Sequence, residues 1–280
     1  MDKTDKTDKT GVRRADFLRG TAAVGAGLAL ASVGVDGAHA VGQKNVAHET
    51  FGILDTLLVL ERLMTTLYYG GLTAHDILRS SDLAGPSGDP HNPGLPPGGN
   101  PQQVRYLQAA LDAEAKHVAA LERAGATAPD TRFYFPVETF EHLGSPLRHA
   151  SFLGVMDILE TICVGAYAAA AVAFIRVGRP DLAKTAARIM GVESEHRTLG
   201  RVIGRITPAN SQTLETAPYA AVAEALSEIG PFLTGRRYLF AVGATRTLAV
   251  PSSDAVARVV GAHGTRLVPA FALTPKGGRR

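Results

Sequence analysis

The sequence has no tryptophan and a single cysteine, Cys163, in 280 residues. One thiol cannot form an internal disulfide, so the fold must be held by packing, polar contacts or bound ligands. Aromatic residues are scarce at 6%, with 7 Tyr and 10 Phe, while Ala and Leu abound. That balance leans towards helices and away from a sandwich or barrel, whose strands draw on aromatic and β-branched side chains. An excess of either charge is also missing. Lys+Arg number 29 and Asp+Glu 26, a net charge of +3. This is too weak to mark a nucleic-acid-binding surface, and no nucleic-acid partner is expected. At 45% hydrophobic and 20% charged residues, the composition is that of a globular chain. The length admits one large domain or two small ones.

What is present begins with an N-terminal segment unlike the rest. Residues 2–10 are three copies of Asp-Lys-Thr, followed by Arg13-Arg14, Phe17-Leu18-Arg19 and an apolar run of small residues from Thr21 to Val35. The run ends at Ala38-His39-Ala40, an A-x-A cleavage signal. It is too short for a comfortable membrane span. Residues 1–40 therefore read as a cleaved export signal, placing the mature chain in the periplasm, cell envelope or medium, with the export machinery as a partner. An N-terminal anchor helix is the competing reading. The arginine pair resembles a twin-arginine signal, although Asp16 displaces the expected phenylalanine by one position, so ordinary Sec export stays open. Residues 1–40 hold 6 Lys+Arg and 5 Asp, and the mature chain would carry 23 basic and 21 acidic residues.

Beyond this segment, helical spacing dominates. Leu54, Leu57, Leu58, Glu61, Met64, Thr65 and Tyr68 predict a helix over 46–80. Residues 85–101 contain five Gly and six Pro, which excludes regular structure and predicts a surface loop. Pro101 suits the first turn of a second helix, running to about 124 and stopped by Gly125. Residues 126–147 read as a crossover connection containing Phe133-Tyr134-Phe135. A third helix is predicted over 148–177 and a fourth from Asp181 to about Ile206, joined by the tight Gly178-Arg179-Pro180 link. That link makes the two antiparallel neighbours. A shorter helix is predicted over 218–230. Strand pairing within 236–250 is one reading of an ambiguous stretch, and a solvated tail is expected from Lys276.

Each of the four helical stripes is apolar except at one level. Glu61 interrupts the first, Glu114 and His117 the second, Glu160 the third, and Glu193 and His196 the fourth. An ionised glutamate is almost never buried without a partner. An isolated Glu-x-x-His is usually an exposed helix pair, but two copies plus a glutamate on each remaining stripe point to a metal centre. Residues i and i+3 share a helix face, so each pair can clamp one ion. Four glutamates supply four negative charges, and two divalent ions neutralise them. Without ions, four like charges would lie close together and their pKa values would have to rise.

These segments resemble the ferritin-like superfamily, and within it the proteins related to desiccation-associated and stress-induced ones. The resemblance rests on Leu60-Glu61 and Leu63 with Tyr68, Gly71 and Leu72, on Glu114 with His117-Val118, on Leu159-Glu160 with Val164-Gly165-Ala166-Tyr167, and on Val192-Glu193 with Glu195-His196. Ile229-Gly230-Pro231-Phe232 is similar to the end of that domain. The resemblance implies an all-α, ferritin-like four-helix bundle over 46–233 with a long crossover connection. Residues 234–280 form a C-terminal extension of unassigned role. It implies metal ligands at Glu61, Glu114, His117, Glu160, Glu193 and His196. The loop at 85–101 and the C-terminal extension depart from ordinary ferritins and disfavour a storage shell, while a homo-oligomer stays open.

The chain also reads as two copies of one unit. Tyr68 follows Glu61, and Tyr167 follows Glu160, by seven residues, and Glu114/His117 corresponds to Glu193/His196. The tyrosines are either partners of the metal ligands or core residues. Asp157 is a candidate to orient a ligand histidine. Glu195 should point away from the site, Cys163 reads as a small core residue, and His48, His75, His91, His142, His149 and His263 read as surface histidines. Oxygen and imidazole ligands suit two iron or manganese ions, with zinc not excluded. A redox-active pair makes O2 or hydrogen peroxide the natural small-molecule partner, in ferroxidase-like or catalase-like chemistry. The alternative is a metal-binding structural protein of desiccation or envelope stress.

Overall fold

The computed structural model describes residues 38–78, 101–129, 132–144, 147–206, 209, 218–236, 238 and 243–264. The export signal up to residue 37, the Gly/Pro-rich loop before Pro101 and the tail from residue 265 lie outside the described residues. The chain divides into two units, Met1–Lys44 and Asn45–Arg280. The architecture below is that of the second.

Four long helices build the bundle: α1 (Ala38–Thr73), α3 (Pro101–Arg123), α4 (Phe152–Arg176) and α5 (Pro180–Ile203), with a single turn, α2 (His75–Leu78), after α1. Their stripes converge on one core that includes Leu54, Leu58, Leu111, Met156 and Ile189. Burying a leucine or isoleucine of this kind stabilises by about 1.5–3 kcal/mol. The segment Phe152–Arg176 is long and apolar enough to cross a membrane, yet it is mostly buried inside the bundle and carries Glu160 inward. It is a core helix of the bundle, buried along most of its length, with Val172 and Ile175 exposed near its end.

Local chemistry sets the helix limits. Ser151 caps α4, its hydroxyl accepting from the Gly154 amide at 3.3 Å. Gly178, at φ 72°, closes α4: its amide donates to Ile175 O and the Arg179 amide to Phe174 O. Gly125, at φ 100°, closes α3 in the same way through Glu122 O and Leu121 O. Both are Schellman closures, which glycine adopts without a Cβ penalty. After Gly178 the chain re-enters a helix at Pro180, so α4 and α5 lie side by side in extensive contact.

Several predicted boundaries shift. Helix α1 ends at Thr73 rather than 80, and begins before 46. Gly70 and Gly71 stand at its end, where the rings of Phe140 and Phe152 pack so closely that a Cβ at Gly71 would lie 2.3 Å from Phe152. Helix α5 ends at Ile203, because Arg205 at φ 56° turns the chain before Pro208 is reached. The predicted helix at 218–230 is two short ones, α6 (Ala223–Glu228) and α7 (Gly230–Thr234).

The crossover connection contains a strand, β1 (Arg132–Pro136), followed by a 3-10 turn at Val137–Phe140. It pairs antiparallel with β2 (Thr245–Ala249), Tyr134 facing Thr247. Phe133 and Phe135 alternate inward, and Phe135 meets Phe140 and Phe232 edge to face at 5.3 and 5.6 Å. Helix α8 (Ser253–Gly264) then packs along α3, with the Gln108 amide donating to Val259 O at 2.8 Å. Part of the C-terminal extension thus packs onto the bundle, while the tail expected from Lys276 lies outside the described residues.

Two glycine substitutions test this packing in opposite directions. Gly71→Ala must push the Phe152 ring and should lower the unfolding free energy by about 1–3 kcal/mol in a urea titration. Gly191→Ala, on the open face of α5 with nothing within 4 Å, should raise it by roughly 0.5–1 kcal/mol. Equal effects of the two would contradict the close contact of α1 with Phe152.

Candidate metal centre

Helices α1, α3, α4 and α5 each turn their charged position to the bundle centre. Glu61, Glu114, His117, Glu160 and Glu193 are fully buried, and His196 is 7% exposed. The six form two overlapping groups able to hold a metal ion, Glu61–Glu114–His117–Glu193 and Glu114–Glu160–Glu193–His196, with ligand atoms within 4.8 Å of one another in each.

The two groups share Glu114 and Glu193, and the distances show why. Glu114 presents Oε1 to His196 Nδ1 at 2.8 Å and Oε2 to His117 Nδ1 at 3.8 Å. Glu193 presents Oε1 to His117 Nδ1 at 2.9 Å and Oε2 to His196 Nδ1 at 3.7 Å. Each carboxylate therefore faces both imidazoles, one with each oxygen. Glu61 Oε2 lies 3.3 Å from His117 Nδ1, and Glu160 Oε1 lies 3.7 Å from His196 Nδ1. Each group contains one complete Glu-x-x-His pair, as the spacing implied, together with the glutamate of the other pair. Each imidazole sits closer to the glutamate of the opposite helix than to its own.

The tyrosines cross over in the same way. Tyr68, on α1, donates to Glu160 Oε1 on α4 at 2.5 Å, and Tyr167, on α4, donates to Glu61 Oε1 on α1. Tyr68 also packs edge-on against His196 at 5.9 Å. These bonds answer the question left by the sequence: both tyrosines are buried and both hold a glutamate of the cluster.

The remaining polar atoms fit a cation. Both oxygens of Glu114, both of Glu193, Glu160 Oε2 and His196 Nδ1 are buried and have no hydrogen-bond partner among the described residues. Buried polar atoms turned towards one another at 2.8–3.8 Å are destabilising unless protons or a metal ion lie between them. Oxygen and imidazole donors suit a divalent transition metal.

Electrostatics say the same. Burial, then the charge of Glu193, pushes Glu61 well above the usual carboxylate range, and burial with Glu193 and Glu114 does so to Glu160. Burial opposes the charged form of His196, but Glu114 and Glu193 outweigh it and raise the imidazole to about 9. His117 is likewise raised, against its burial, by Glu61, Glu114 and Glu193. Burial alone would raise Glu114, but His117 and His196 beside it hold it below the ordinary range. Burial and nearby carboxylates keep Tyr68 and Tyr167 protonated as donors.

Residues outside the six sort as follows. Asp157 forms ion pairs with Arg197 at 3.3 Å and Arg201 at 3.5 Å. Arg197 Nε also donates to Thr161 Oγ1 at 2.7 Å, so this buried network ties α4 to α5. The i,i+4 spacing of Asp157–Thr161 and Arg197–Arg201 was the available signal for it. Glu195 is exposed, as are His48, His142 and His149. His75, His91 and His263 have side chains outside the described residues. Cys163 is a buried core thiol, raised by burial and by the four glutamates.

A helical bundle with this centre is a ferritin-like protein. The ferritin-like domain matches residues 49–203, more than half of the chain, and the chain belongs to that family. The match runs from within α1 to the end of α5 and includes all six clustered residues. Comparison with curated proteins and with solved structures gave no significant match. Members of the superfamily build di-metal sites from one glutamate on each of two helices and a Glu-x-x-His on each of the other two, the pattern present here.

The metal-free protein should show a pH dependence of known sign. Glu61, Glu160, His117 and His196 have raised folded-state values, so their contribution is present in acid and is lost as pH rises through those values. Glu114 has the opposite sign, and its contribution fails only in strong acid. Chelator-treated protein should therefore lose stability between about pH 5 and pH 9. Stabilisation by added Mn2+ should grow over the same interval, because the metal displaces the shared protons. Melting curves at several pH values with and without metal provide the check. A flat apo profile with no response to Mn2+ would remove the metal reading.

Proposed function

We propose that this chain is an exported metalloprotein whose bundle centre holds two divalent iron or manganese ions and reacts with O2 or hydrogen peroxide. The observation that carries it is the pair of overlapping four-residue groups sharing Glu114 and Glu193. Two adjacent ions share two ligands, and a single ion would leave one imidazole and one glutamate without a cation. When bound, a redox-active pair supplies or accepts two electrons for one small oxidant. The chain's own residues do the rest. Glu114 and Glu193 present both oxygens to the centre, Glu61 and Glu160 flank it, and His117 and His196 complete the two ends. The surrounding core, with Leu57, Leu111, Met156 and Ile189 buried in it, shields the centre from bulk water. Ferroxidase-like and catalase-like turnover are the two versions of this reading.

Full burial of five of the six residues also favours a second reading, in which the ions stabilise the bundle without turnover in a protein of desiccation or envelope stress. The likeness to desiccation-associated proteins noted in the sequence supports that setting. One variant separates the two. Glu160→Gln removes a charge and an anionic ligand and should weaken metal binding on the order of ten- to a hundredfold. In the metal-free protein it relieves repulsion and should be neutral or stabilising. An enzyme loses O2 or peroxide consumption in this variant, and a structural metalloprotein loses only its metal-dependent rise in melting temperature. Metal analysis of the wild type should return two ions per chain.

Export rests on the Arg13-Arg14 pair, the apolar run and Ala38-His39-Ala40. Cleavage after Ala40 gives a mature N-terminus at Val41, which N-terminal sequencing of envelope or medium fractions tests. Under the twin-arginine route the bundle folds and takes up metal before export, and replacing both arginines with lysine traps a folded, metal-bound precursor. Soluble cytoplasmic protein retaining residues 1–40 would speak against export by either route.

A further inference from the structure

We propose that Tyr68 and Tyr167 are positioning residues that each commit one oxygen of a flanking glutamate, restricting Glu160 and Glu61 to ligation through a single oxygen. This rests on the two-metal reading above and deepens it. The four glutamates fall into two kinds. Glu114 and Glu193 have neither oxygen hydrogen-bonded among the described residues, and each faces both imidazoles. Glu160 gives Oε1 to Tyr68 and keeps Oε2 buried without a partner. Glu61 gives Oε1 to Tyr167 and keeps Oε2 3.3 Å from His117 Nδ1. Two carboxylates are thus free to bridge with both oxygens, and two are half-occupied by a phenol.

The arrangement occurs twice, once in each half of the chain. In both cases the hydroxyl reaches across to the other helix rather than to the glutamate seven residues before it. A tyrosine present only to fill the core would be satisfied by a backbone carbonyl, as Tyr238 is by Tyr134 O. An oxygen that accepts a phenol proton has its lone pair and orientation fixed, so the carboxylate cannot swing to chelate an ion with both oxygens. Glu160 and Glu61 would then each offer an ion a single oxygen, leaving a position that a small oxidant could take, which turnover at a metal requires.

The test uses Co2+ as the probe, because its visible absorption strengthens as coordination number falls. The full mature protein, its Tyr68→Phe and Tyr167→Phe variants and the double variant are loaded with Co2+. Tyr219→Phe serves as control, a buried tyrosine outside the cluster. Phenylalanine keeps the ring and its packing, so a purely structural role would leave the spectrum unchanged. We expect the absorption to weaken in each single variant and further in the double, with affinity lower by about 10–100-fold, and Tyr219→Phe to match wild type. Superimposable spectra at full Co2+ occupancy would overturn the proposal. X-ray absorption of the wild type needs no variant: the short metal–carbon distances of chelating carboxylates at both ions would overturn it too. Failure of the wild type to bind any Co2+ would instead remove the two-metal reading on which it stands.

Discussion

Four carboxylates in the middle of a helical bundle are the constraint on which this structure depends. Each loses hydration that a nonpolar interior cannot replace, and each repels the other three. The fold meets this with three kinds of group. His117 and His196 sit between carboxylates of opposite helices, Tyr68 and Tyr167 donate to Glu160 and Glu61, and the remaining acceptors converge where cations fit. Remove any of these and a buried charge is left uncompensated, which costs far more than a missing surface ion pair.

The chain solves the problem with a duplicated unit whose halves complete each other. Neither half holds a finished site: α1 and α3 supply Glu61, Glu114 and His117, yet the hydroxyl on Glu61 comes from α4 and an oxygen facing His117 comes from Glu193 on α5. Exchange of this kind links the core polar network to correct packing of all four helices. Close approaches at Gly71 against Phe152 and at Gly200 against Met156 also bring the helices together. The Asp157–Arg197–Arg201 network adds a second buried set of charges, paired at 3.3 and 3.5 Å, that ties α4 to α5.

The halves differ in how they are joined. Between α4 and α5 a three-residue link suffices. Between α3 and α4 the chain must cross the bundle, and β1 is laid down on the way. That strand has an exposed edge until β2 pairs with it, and Phe135, Phe140 and Phe232 seal the contact. Unpaired strand edges invite association, so the C-terminal residues 245–264 have a structural role: β2 covers the edge and α8 covers α3.

The sequence by itself determined the helices and the positions of their charged residues. Helical spacing depends on local geometry, so the stripes, the tight link at Gly178 and the level at which Glu61, Glu114, His117, Glu160, Glu193 and His196 interrupt them were all legible. Tertiary structure alone decided which oxygen faces which nitrogen, because the choice between Glu114 reaching His117 or His196 is made by the position of a neighbouring helix, not by spacing along its own. The same holds for the crossed tyrosines and for Asp157, whose arginine partners lie on α5. A strand within 236–250 was one reading of the sequence, and β2 lies there, but its partner β1 was hidden for a different reason: two five-residue strands far apart in the chain become partners only once the bundle brings them together.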